Sequence, residues 1–177
     1  MKGQYFSFDA IIATVIMVIA FTTLVAYWYG VQSTIDARTG GVYDDALRVA
    51  DSLFSPGQPE NWGNTSVPVG GIRQVGFANG FSNSLNSSKV KRLANMVGST
   101  KTGDLNPANY TAIGNLLRVQ GYYITVEPSN GSVAGAFYIG DSNFTGAREV
   151  AVANRGGTMY FGGVRTAMSV KVYVYTK

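Results

Sequence analysis

Ala10-Ile11-Ile12-Ala13-Thr14-Val15-Ile16-Met17-Val18-Ile19-Ala20-Phe21-Thr22-Thr23-Leu24-Val25-Ala26 is apolar on every face of a helix, within a run, residues 10–35, that contains no charged side chain. A helix of about 20 such residues covers the roughly 30 Å of bilayer hydrocarbon. A helix on a soluble core needs only one apolar stripe, so this pattern predicts a membrane span. The run exceeds the roughly 7 to 15 residue apolar region of a secretory signal. It leads into Tyr27-Trp28-Tyr29 and not into a small-residue cleavage site. Those aromatics suit one membrane interface, and Tyr5, Phe6 and Phe8 suit the other. Lys2 precedes the run, so the positive-inside rule places the N-terminus in the cytoplasm and the remaining chain outside the cell.

About 140 residues follow the span, enough for one compact domain. The chain has no cysteine, so this domain must rest on its core and not on disulfides. The net charge of +4 is mild, and Lys89, Lys91, Arg92 and Lys101 form its one local concentration. A polar helix face or loop is the preferred reading of that cluster, ahead of an anionic surface or nucleic acid partner. Asn64-Thr65-Ser66, Asn86-Ser87-Ser88, Asn109-Tyr110-Thr111, Asn130-Gly131-Ser132 and Asn143-Phe144-Thr145 fit the N-x-S/T acceptor pattern, which favours an exterior location.

Beyond Ile35 no strong breaker occurs before Gly40-Gly41, which is either a hinge or a weak point in one long helix. Val42, Ala46, Val49, Ala50 and Leu53 then recur at helical spacing, with Asp44, Asp45, Arg48 and Asp51 on the other face. Asp44 and Arg48 form an i,i+4 pair. Residues 55–64 read as a stiff connector. A short strand is expected within residues 67–77. A helix follows through Val90, Leu93, Ala94 and Val97, capped by Ser87 or Ser88. Asn106-Pro107 opens another, with Tyr110, Ile113 and Leu117 inward. From Tyr122 the period changes to two. Asn130-Gly131 predicts a two-residue type I′ hairpin turn, with a return strand from Val133 to Ile139. Val150 and Val152 mark a strand closed by Asn154-Arg155-Gly156-Gly157. In the last strand Val164, Thr166, Met168, Val170, Val172 and Val174 share one face. The expected fold is α+β: a long membrane-spanning helix carrying an antiparallel β-sheet head with two short helices.

Histidine and cysteine are both absent, which removes Ser-His and Cys-His nucleophile pairs, thiolate chemistry and most zinc sites. No GxxxxGK phosphate loop occurs, and no pair of carboxylates stands out. The stretch Asp141-Ser142-Asn143-Phe144-Thr145-Gly146 resembles the front of a calcium loop, but its twelfth position is Val152, where a bidentate Glu is needed. A polar turn is the better reading. The composition thus argues against an enzyme and implies no cofactor or metal. Ser7 and Asp9 lie at the mouth of the span. They suit a helix cap at headgroup level. Equally, Asp9 could meet a cation, such as a free α-amino group, on a neighbouring copy.

Lys2-Gly3-Gln4, a short polar stretch with Ser7 and Asp9, and then an apolar helix together resemble the class III signal of archaeal type IV pilin-like proteins. The resemblance covers about the first 30 residues. The connector Pro56-Gly57-Gln58-Pro59-Glu60-Asn61-Trp62 and the stretch from Leu116-Leu117 to Tyr122-Tyr123-Ile124 look similar too. It implies a cut between Gly3 and Gln4 by a prepilin peptidase on the cytoplasmic side. Residues 1–3 are then a leader, 4–40 a membrane and filament-core helix, and 41–177 an extracellular head. The implied partners are other pilins or further copies, the assembly ATPase with its membrane platform, membrane lipid and N-glycans. Nucleic acid is not among them. The family pattern usually puts an acid at the fifth mature position. Here that position is Phe8, and Asp9 follows it. The implied function is a structural subunit of a pilus, minor or adhesive, with an archaellum subunit as a variant. A singly anchored surface-binding module that never polymerises is the alternative from a different class.

Overall fold

The computed structural model describes residues 3–80, 83–132, 134–161 and 163–177; the side chains of residues 3–7, 36–39 and 161 are not described. The first helix, α1 (Gly3–Leu53), is helical throughout, Gly40 and Gly41 included. The chain divides into two units, Met1–Gly40 and Gly41–Lys177.

The second unit begins with the last turns of α1. Val42, Ala46, Val49, Ala50 and Leu53 are buried there, as their helical spacing requires. Arg48 pairs with Asp45 at 2.8 Å and not with Asp44, because its other guanidinium nitrogen donates to the Leu117 carbonyl at 2.8 Å. That second bond draws the side chain to one flank of the helix. The head continues with β1 (Ser84–Leu85), α2 (Ser87–Val97), α3 (Pro107–Leu117), β2 (Gly121–Pro128), β3 (Phe137–Gly140), β4 (Glu149–Phe161) and β5 (Val164–Thr176). The sheet order is β1-β4-β5-β2-β3. All its long pairings are antiparallel, while the two-residue β1 runs parallel to β4. The fold is α+β, with a mostly antiparallel sheet and two short helices, as the patterning predicts.

A single hydrophobic cluster joins α1 from Val42 onward to Val90, Leu93 and Val97 of α2, Ile113 and Leu117 of α3, and one face of the sheet. That face carries Tyr122, Ile124 and Val126 of β2 and Met168, Val170, Val172 and Val174 of β5. Period-two alternation puts these side chains on one side of the sheet. Val164, at the start of the same β5 face, is exposed, so the strand runs past the core before entering it.

Several local expectations are corrected. Residues 67–77 hold a 3₁₀ turn (Val69–Gly71) and one bridge, Gln58 to Gln74, in place of a strand. The cap of α2 is Asn86, whose side chain accepts from the backbone N–H groups of Ser88 and Lys89; Ser87 and Ser88 lie inside the helix. Asn106 does cap α3, accepting from the Asn109 N–H. Asn130 lacks the positive φ that a type I′ turn requires at its first central position, whereas Gly131 has φ 75°. The turn closes from the Gly131 N–H to the Pro128 carbonyl at 3.1 Å, and pairing with β3 resumes only at Val126 and Phe137. Val133 lies outside the described residues. Finally, β4 passes straight through Asn154-Arg155-Gly156-Gly157. A Cβ on Gly157 would lie 2.9 Å from the Phe54 ring, so this glycine marks a close approach inside a strand and not its end.

Leu53→Ala, at a fully buried site, is expected to destabilise the head by about 2–5 kcal/mol. Ile19→Ala, at an exposed position of the other unit, should leave the same transition within about 0.5 kcal/mol. Chemical denaturation of the full chain in detergent, followed by tryptophan fluorescence, compares the two.

Candidate functional site

The first unit presents its apolar side chains outward. Val15, Ile16, Met17, Val18 and Ile19 are consecutive, and each is between 52% and 72% exposed. At about 100° per residue these five positions go all the way around the helix, so no face is covered. Thr14, Thr22, Thr23 and Thr34 do not present free hydroxyls. Each donates to a carbonyl one turn earlier: Ala10 at 2.7 Å, Val18 at 2.9 Å, Ile19 at 2.8 Å and Gly30 at 2.9 Å. Polar atoms satisfied within the helix are what a hydrocarbon medium demands. The span has a mean hydropathy of 2.4 over its most apolar window and is long and apolar enough to cross a membrane. Its uncharged run of residues 10–35 extends roughly 39 Å at 1.5 Å per residue. Tyr27, Trp28 and Tyr29, all exposed, sit about 27–30 Å along the axis from the exposed Asp9, close to one hydrocarbon thickness.

Of the proposed helix-entry residues, Asp9 is exposed at the start of this span. Gly3 and Gln4 have helical backbone. Lys2, and the side chains of Gln4 and Ser7, lie outside the described residues.

In the head, the basic cluster divides: Lys89 is buried and Arg92 half-buried, while Lys91 and Lys101 are exposed. The Lys89 Nζ donates to the carbonyls of Pro56 at 2.6 Å and Ala78 at 3.0 Å. Burial pushes its pKa down, and Glu60 nearby partly opposes that. Arg92 donates to the carbonyls of Trp62, Asn64 and Val67. Trp62 is fully buried, with its indole N–H on the Gly76 carbonyl at 2.9 Å. These groups fasten an irregular connector that has no ladder of its own. Lys101 lies 3.6 Å from the centre of the Tyr138 ring, a cation–π contact.

A second polar cluster was not foreseen from sequence. Asp141 Oδ1 accepts from the Asn143 N–H at 2.8 Å and the Thr100 hydroxyl at 3.1 Å. Its Oδ2 accepts from the Tyr175 hydroxyl at 3.0 Å and Lys177 Nζ at 3.2 Å. Partial burial pushes the Asp141 carboxyl up, but these four donors outweigh it and hold the group below its ordinary value. Burial, with Tyr110 and Asp141 adjoining, raises the Tyr175 phenol. Phe144, Tyr173 and Tyr123 pack beside this cluster, with Phe144 and Tyr173 stacked at 5.6 Å. Burial pushes Tyr123 up to about 12, helped by Tyr138, Glu127 and Tyr173. The available signal was the tyrosine-rich second face of β2 and β5, which alternates with the apolar one. The stretch that resembles a calcium loop is thus a polar turn whose acid is already occupied. Among the described residues, no group of three or more His, Cys, Asp or Glu side chains is gathered to hold a metal.

The five sequons fall on different kinds of structure. Asn64, Asn130 and Asn143 are exposed in loops, and Asn86 and Asn109 are partly buried. Asn86 caps α2, and Asn109 lies within α3.

Compared with known proteins, the chain matches no family model, no curated protein and no solved structure.

Because its pKa is lowered on folding, Asp141 contributes stability that is present above about pH 4, its unfolded value, and is lost as pH falls through the native value. Asp141→Asn is expected to cost about 1–3 kcal/mol at pH 7. The difference from the parent should shrink steadily below pH 4. Urea unfolding at pH 7, 4 and 2.5 reads the effect.

Proposed function

We propose that this chain is a pilin-like structural subunit that assembles into a surface filament through its N-terminal helix. The observation that carries the reading is the helix of residues 10–35, uncharged and exposed on every side, in a chain whose head has its own closed core. Such a helix can be surrounded by lipid tails or by copies of itself with little change in solvation. Storage in the membrane and release into a filament core are then two states of similar energy. In this reading a prepilin peptidase cuts between Gly3 and Gln4, leaving the span intact. An assembly ATPase and its membrane platform supply the work of extraction. Residues 41–177 form the exterior head. Ser7 and Asp9 lie at the helix entry, where a carboxylate near the dipole's positive end is favourable. The work is mechanical and uses no cofactor.

Filaments sheared from cells that express the chain should contain it, with Gln4 as its first residue by N-terminal sequencing. A chain found whole in the membrane fraction, with filaments lacking it, would favour the non-polymerising surface module. Val18→Asp places a charge in the middle of the span at a cost of roughly 2.5–3.5 kcal/mol. Incorporation into filaments should fall roughly 100-fold, while the head keeps its circular dichroism.

A further inference from the structure

The sequons are equivalent as motifs but not as chemistry. N-linked transfer needs the asparagine Nδ2 as nucleophile and the hydroxyl of residue n+2 beside it. At Asn64, Asn130 and Asn143 the Oδ1 accepts from the backbone N–H of Ser66 at 3.4 Å, Ser132 at 3.1 Å and Thr145 at 3.0 Å. That ring of atoms is an Asx turn, which brings the backbone of residue n+2 back beside the asparagine. All three asparagines are exposed. At Asn143 the next side chain, Phe144, packs against Tyr123, Tyr173 and Tyr175, which leaves the asparagine on the outside of the turn.

Asn86 and Asn109 differ at the nucleophile itself. Asn86 makes the same turn, accepting from the Ser88 N–H at 2.9 Å, so the turn alone does not separate the sites. Its Nδ2, however, donates to Asn79 Oδ1 at 2.8 Å, and its Oδ1 also caps α2. The Asn109 Nδ2 donates to the Met96 carbonyl at 2.8 Å. The hydroxyl of its sequon, on Thr111, donates back to the Pro107 carbonyl at 2.9 Å within the helix. Both asparagines are half-buried.

We propose that Asn64, Asn130 and Asn143 are acceptor sites for N-linked glycan, and that folding withholds Asn86 and Asn109. The donor is a sugar chain carried on a lipid phosphate. The Asn Nδ2–C1 bond forms as the C1–O bond to phosphate breaks. The phosphate leaves with the electron pair, and one amide proton passes to a base of the transferase. The three glycans would project from separate loops: the α1–β1 connector, the β2–β3 loop and the β3–β4 loop. The proposal rests on the exterior head of the reading above and not on polymerisation.

The test uses purified full-length protein in detergent, a single-subunit oligosaccharyltransferase and a polyisoprenyl phosphate-linked oligosaccharide, read by glycopeptide mass spectrometry. Because the transfer is done in solution, its result is independent of whether filaments form. Glycan is expected on Asn64, Asn130 and Asn143, with at least tenfold lower occupancy on Asn86 and Asn109. Ser66→Ala, Ser132→Ala and Thr145→Ala, which keep each asparagine, should each remove glycan from their own site alone. Short peptides carrying each of the five sequons should all be modified, which assigns the selection to the fold. Comparable occupancy on Asn86 or Asn109 in the folded protein overturns the proposal. So does a bare Asn64, Asn130 or Asn143, or refusal of the Asn86 and Asn109 peptides.

Discussion

Between Phe8 and Ile35, sixteen large apolar or aromatic side chains are exposed along α1, and removing each from water is worth about 1.5–3 kcal/mol. Together they represent tens of kcal/mol, several times the roughly 5–15 kcal/mol by which a domain is stable at all. The helix is long and apolar enough to cross a membrane, and lipid tails or other apolar helices are surroundings in which such a surface is stable. The threonine hydroxyls agree with this, because each is returned to a carbonyl of its own helix.

One helix serves two kinds of surroundings, and the change falls at Gly40-Gly41. From Val42 onward the apolar positions narrow to one stripe, and that stripe lies in the core of the head. Polar residues take the opposite side, with Asp51 holding Arg155 of β4 at 2.8 Å. The head is closed by buried polar contacts at its least regular part. Trp62, Lys89 and Arg92 together satisfy the carbonyls of Pro56, Trp62, Asn64, Val67, Gly76 and Ala78. Without those donors the buried carbonyls among them, such as those reached by Trp62 and by Lys89 at Ala78, would lose their partners at about 1–3 kcal/mol each.

The parts of the fold that could be read from sequence are those governed by period. The all-round apolar run, the stripe after Gly41, α3 with its Asn106 cap, and the alternation of β2 and β5 each repeat often enough to be unambiguous. What could not be read depends on single tertiary contacts. Gly156-Gly157 has the composition of a turn, yet both residues pair with β5, and Phe54, Asn83 and Leu85 close in on Gly157 where a side chain would stand. Asn130-Gly131 has the composition of a tight hairpin, yet β3 pairs late and leaves a longer loop. Asn86, and not the serines after it, caps α2, because the chain arrives there from the parallel pairing of β1 with β4. The basic cluster follows the same rule. Lys89 and Arg92 look like a polar face in sequence, and their acceptors lie 11 to 33 residues away along the chain.

The same logic bears on what the head is built to do. Its distinctive polar groups are largely engaged with other parts of the head. Asp141 holds four donors, Asp104 is held below its ordinary value by the Thr102 hydroxyl and the Ser99 N–H, and Tyr175 links Tyr110 to Asp141. A carboxylate saturated by neighbours is a poor general base, because every donor that lowers its pKa also weakens its hold on a substrate proton. Tyrosines whose phenols are raised by burial are poor proton donors for the same reason. Groups arranged this way stiffen a domain. On the proposed filament reading, such stiffness would suit a subunit through which force passes, since a head that opened under load would expose its core. The fixed polar network and the freely exposed apolar helix are thus complementary: one keeps the head's shape, and the other leaves the choice of neighbours open.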